Sequence, residues 1–105
     1  MDPTDAYGAS STASEATRFR ALLKERRFSE LLLVGQARLA HKPDERDALL
    51  FVAIAQRYLG RVRDALATLE ILERHHPRFS RLFEERGRCF VEMKQAPPAI
   101  EAFTT

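Results

Sequence analysis

Apolar residues recur along the chain at helical spacing, in runs separated by glycine or proline. Leu49, Val52, Ala53 and Ala55 form one such stripe. It is preceded by Asp44, which follows Pro43 and reads as an N-cap, with Asp47 in the first turn. This predicts a helix from about Glu45 to Leu59, ended by Gly60. Ala65, Leu66, Leu69 and Leu72 share one face of a second helix, predicted from Val62 to about His75 and stopped by Pro77. The same reading predicts helices from about Ala16 to Arg26, Phe28 to Ala40 and Phe79 to Met93. Lys94 and Gln95 make the next turn, and Pro97 and Pro98 suit the first turn of a further helix, where a missing N–H costs little.

These hairpins repeat. Sliding the chain along itself until Pro43 falls on Pro77 also aligns Ala21 with Ala55, Arg27 with Arg61, Leu32 with Leu66, His41 with His75 and Ala65 with Ala99. A fixed period of this length implies one two-helix unit stacked on its copies. The expected fold class is all-α: stacked antiparallel hairpins in an α-solenoid of about six helices, the last one short. Residues 1–15 hold Asp, Pro, Gly, Ser and Thr with Tyr7 as the one large apolar side chain beyond Met1, and read as a disordered tail. Residues 16–105 read as the repeat domain, in units of about 16–43, 44–79 and 80–105.

The residues of this period resemble the tetratricopeptide repeat. Leu49 and Phe83 stand where that family has a bulky residue early in the first helix, and Pro77 stands where it has its terminal proline. Ala53 and Ala65, then Gly87 and Ala99, stand where its two helices cross closely. Leu69, Phe90 and Phe103 fill further bulky positions. Gln56 replaces a usual aromatic, Leu72 a small residue and Arg86 an apolar one. In the first unit Phe19 occupies a small position and Gly35 a bulky one, which marks that unit as degenerate. A narrower resemblance links residues 78–103, RFSRLFEERGRCFVEMKQAPPAIEAF, to the N-terminal repeats of bacterial proteins that carry a sulfotransferase-like domain. It implies, as an alternative function, an accessory region of such an enzyme.

Charge changes the picture little. All 17 Lys and Arg follow residue 17, whereas Asp2, Asp5 and Glu15 precede it, so residues 16–105 carry 17 positive against 12 negative charges. Acidic residues interleave with the 14 arginines, the mark of solvated helix faces. Glu84, Glu85 and Glu92 interrupt any basic track, and Tyr58 is the one stacking aromatic beside it, which argues against nucleic acid as the partner. No run approaches a membrane span of about 18 apolar residues, and no secretory leader is evident, so a cytoplasmic protein is expected.

Nothing in the chain reads as catalytic, cofactor-binding or metal-binding. There is no glycine-rich phosphate loop, and Glu84 and Glu85 point to different sides of a helix. His41 and His75 sit at equivalent helix ends, one repeat apart, rather than converging on a metal. Cys89 matches Ala21 and Ala55 and reads as a small, half-buried side chain.

The resemblance implies a concave groove lined by the first helix of each unit, where a protein or peptide lies. Mapped here, it places Leu50 and Ile54 at an apolar centre with Arg57 and Tyr58 beside them, then Arg81 and Arg88, with Arg20 and Lys24 from the first unit. The expected ligand has apolar anchors and acidic flanks. The short last helix would leave Ile100 and Phe103 uncovered, so the same reading expects either a longer repeat protein or self-association there.

Overall fold

The structure, a computed structural model, describes residues 15–94. The regular elements among them are helices: α1 over 15–24, α2 Phe28–His41, α3 Arg46–Tyr58, α4 Val62–His75 and α5 Ser80–Lys94. No described helix is long and apolar enough to cross a membrane. Most of residues 1–15 and the helix expected after Pro97, with Ala99, Ile100 and Phe103, lie outside the described residues.

The period is visible in the backbone. The ends of α1 and α3 share one left-handed turn: Arg26 and Gly60 have φ values of 60° and 83°. Arg26 N–H donates to Leu23 C=O and Arg27 N–H to Leu22 C=O, and at the equivalent positions of the next unit Gly60 donates to Arg57 and Arg61 to Gln56. These paired bonds satisfy carbonyls that a helix end leaves free. The ends of α2 and α4 match in the same way, with Lys42 N–H on Arg38 C=O and His76 N–H on Leu72 C=O. Because the turn begins before Arg26, α1 stops at residue 24, short of the expected end.

The start of α3 differs from expectation. Glu45, not Asp44, is the N-cap residue, in extended conformation, and no side chain caps the helix. The Glu45 carboxylate is drawn instead to Arg38 of α2, at 2.6 Å from Nε and 2.9 Å from Nη2. The Arg38 hydrogen bond holds the Glu45 carboxyl below the usual carboxylate range, although partial burial works against it.

Helix α3 is the centre of the core, and every residue from Ala48 to Ala55 is buried. It packs against α2, α4 and α5. Ala53 of α3 and Ala65 of α4, where small residues were expected, are both inaccessible to solvent. Gly35 of α2 marks a close approach to α3: a Cβ there would lie 2.5 Å from Val52 Cγ2. A glycine where the repeat pattern has a bulky residue is therefore explained by the neighbouring helix. Phe19 of α1 fills the space that a small residue would leave, packing 5.3 Å from the Phe51 ring at 38°. Leu31, Leu69, Leu72 and Leu82 complete the interior, and full burial of each stabilises the fold by about 1.5–3 kcal/mol.

Candidate interaction surface on α1, α3 and α5

The expected groove residues divide into an interior set and a surface set. Leu50 and Ile54 are 1% and 4% exposed, so they do not form an open apolar floor. Helix α3 is apolar on all sides from Ala48 to Ala55, and a helix of that kind belongs inside a fold rather than along a groove.

Arg57 is likewise buried, at 7% exposure. Its Nε donates to Glu85 Oε2 of α5, and its Nη1 donates to Glu92 Oε2 at 3.2 Å. Its guanidinium carbon also lies 4.4 Å from the Tyr58 ring centroid. Burial acts to lower the Arg57 pKa, but the hydrogen bond and charge of Glu85, with a smaller contribution from Tyr58, outweigh it and raise the value above the ordinary one. Glu85 is 1% exposed, and its Oε1 has no hydrogen-bond partner among the described residues. Arg88 Nη1 lies 3.5 Å from that atom. Arg57 is thus the bolt between α3 and α5 and not a free contact for a ligand.

The surface set is Arg20, Lys24, Tyr58, Arg81 and Arg88. Tyr58 is 45% exposed and stacks parallel to Phe28 of α2, with centroids 4.4 Å apart. Arg81 reaches back over Phe51, its guanidinium carbon 5.9 Å from the ring centroid. Arg88 is tied to the Arg57 network through Glu85. Arg20 and Lys24 stand one helical turn apart on α1, and no hydrogen bond or ion pair among the described residues joins them to α3 or α5. Helix α5 buries only Leu82, Glu85 and Cys89, leaving Phe83, Phe90, Val91 and Met93 between 41% and 53% exposed.

No protein-family model matches the chain, and no curated protein or solved structure matches it either.

Glu85 was the residue least visible beforehand. A signal existed: the repeat offset places it on Phe51, a core position, and places Arg57 on Val91. Two opposite charges at apolar registers of neighbouring units are the sign of a buried pair. Gln56, where an aromatic was usual, accepts a 2.7 Å hydrogen bond from Thr68 of α4, so its polarity is matched across the hairpin.

The remaining chemistry is sparse. Cys89 is fully buried rather than half-buried, and burial, followed by the charge of Glu85, pushes its thiol up to about 11. A thiol of that kind is a packing group and not a nucleophile. Among the described residues, no group of three His, Cys, Asp or Glu side chains could hold a metal ion. At Gly87, expected at a close crossing with Ala99, no atom of the described residues lies within 4 Å of where a Cβ would stand, and Ala99 lies outside the described residues.

Proposed function

We propose that the chain is a tetratricopeptide-type helical repeat that binds another protein or peptide on the exposed side of α5 and at Tyr58, the end of α3. The observation that carries this reading is the exposure of Phe90 and Val91 on the helix that also carries Arg81 and Arg88, with Tyr58 exposed at the end of α3. Clustered apolar side chains at a polar rim mark an interaction surface. The backbone bonds that recur at equivalent positions of successive units support the repeat reading. Tyr and Arg are side chains that concentrate binding energy in such surfaces.

The ligand has apolar anchors and acidic flanks. Glu92 is engaged by Arg57, so the accessible charge on this side of α5 comes chiefly from Arg81 and Arg88, with Glu84 opposing them and Arg20 and Lys24 on α1 adding to it. Leu50, Ile54 and Arg57 hold the surface rigid from below, which limits the ordering cost of binding.

The test is fluorescence anisotropy against a peptide panel in which apolar anchors carry either acidic or basic flanks. Acidic-flanked peptides are expected to bind, and Arg81→Glu with Arg88→Glu to weaken them by about tenfold or more, as rim charge reversal does. Equal binding of basic-flanked peptides, or no loss in a double variant whose circular dichroism is unchanged, would sink the reading.

A further inference from the structure

The turn between α4 and α5 forms, against the first residue of α3, an open cavity of about 480 Å3 lined by Arg46, His76, Pro77, Arg78, Phe79 and Ser80. Its wall carries two guanidinium groups, one imidazole and one hydroxyl, and no carboxylate. Two of these groups are braced. The guanidinium carbon of Arg46 lies 4.6 Å from the Phe79 ring centroid. Its Nε lies 3.4 Å from Asp47 Oδ1, and its terminal nitrogens have no partner among the described residues. His76 is fixed by Nε2 at 2.8 Å from the carbonyl oxygen of Asp44. A carbonyl can only accept, so Nε2 carries the proton and Nδ1 is the ring atom left over. Arg78 is exposed, and no carboxylate among the described residues pairs with it.

We infer that this cavity binds a phosphate monoester. Its donors form a planar fork at Arg46, a free guanidinium at Arg78 and the Ser80 hydroxyl. That set matches an anion with three terminal oxygens and up to two charges better than a carboxylate, which one fork alone would satisfy. Asp47 offsets part of the Arg46 charge, and the remaining positive charge rests on Arg78. The site is separate from the surface on α3 and α5, because neither Arg46 nor Arg78 belongs to that surface. The phosphate could come from a phosphorylated side chain of a partner or from a free phosphorylated small molecule, and both present the same group.

The experiment is a titration of the 15N-labelled full chain, followed by amide shifts at constant ionic strength, with inorganic phosphate, a phosphoserine peptide and its unphosphorylated form as probes. Saturable shifts confined to residues 76–82 and to Arg46 are expected with phosphate, and none with the unphosphorylated peptide. Arg78→Gln, which removes an exposed side chain without a packing role, should weaken binding by about fivefold. Arg63→Gln, on the exposed side of α4, should not change it. Tighter binding of the phosphopeptide than of phosphate assigns the source to a modified protein, and equal affinity assigns it to a free phosphate. Shifts that do not saturate, or that are unchanged in Arg78→Gln, overturn the inference.

Discussion

Replacing Arg57 by Met tests the role of the buried charge between α3 and α5. The side chain that remains, Glu85, is 1% exposed, and it loses the donor to Oε2 while Oε1 already has none among the described residues. Arg88 remains, but its side chain is 58% exposed and its Nη1 stands 3.5 Å from Oε1, beyond a good hydrogen bond. An uncompensated buried charge of this kind costs about 3–5 kcal/mol. The reverse substitution, Glu85→Gln, is milder. Arg57 then keeps Glu92 at 3.2 Å and the Tyr58 ring at 4.4 Å, so the expected loss is about 1–3 kcal/mol. Removing both charges in Arg57→Met/Glu85→Leu should cost less than Arg57→Met alone, because no orphan remains. A folded region of about 80 residues has roughly 4–12 kcal/mol of stability, so all three effects are within reach of urea denaturation followed by circular dichroism. A loss below about 1 kcal/mol in Arg57→Met, or a Glu85→Gln loss exceeding it, would show that the pair is not a desolvated bolt.

Three further outcomes follow from the same geometry. Gly35→Ala should destabilise the fold by about 1–3 kcal/mol, since the new Cβ meets Val52 Cγ2 at 2.5 Å, and adding Val52→Ala should recover part of that loss. Arg26→Gly should stabilise the fold by up to about 1 kcal/mol, seen as a higher Tm, because Arg26 holds φ at 60° where its counterpart is Gly60. Glu45→Gln should cost about 1–2 kcal/mol at pH 7 by loss of the two-point contact with Arg38. The Glu45 carboxyl titrates below its ordinary value when folded, so its contribution is complete above that ordinary value and is lost as pH falls through the folded one. The wild type and Glu45→Gln should therefore converge in stability as pH falls below the ordinary carboxylate range, measured by urea denaturation across pH.

The helices were legible because their signals are local. Gly60, Pro77 and the stripe from Ala65 to Leu72 set the ends and the inner face of α4 without reference to other parts of the chain. The end of α1 was not, because no glycine marks it. Arg26 takes the left-handed turn that Gly60 takes in the next unit, and only the period could have exposed the equivalence. Gly35 was read as a defect of the first unit for a related reason. Its space belongs to Val52 on another helix, and the approach of α2 to α3 is not written in either helix alone.

The division of the expected groove residues into interior and surface has one physical origin. A repeat pattern assigns the same outward direction to equivalent positions, but it does not say how much a neighbouring helix covers them. Leu50 and Ile54 are covered because α3 has helices on several sides, and Arg57 is covered because Glu85 compensates it. Arg88, one turn from Glu85, stays exposed and stands 3.5 Å from the other carboxylate oxygen, Oε1. Helix α5 buries few side chains, so the ion pair is a large share of what fixes its register on α3. Phe19 against Phe51 does the corresponding work for α1 with an apolar contact. An apolar contact tolerates small shifts, whereas a hydrogen-bonded charge pair does not. Helix α5, which carries Arg88 and Val91, is consequently held in one arrangement on α3 by the buried pair of Arg57 and Glu85.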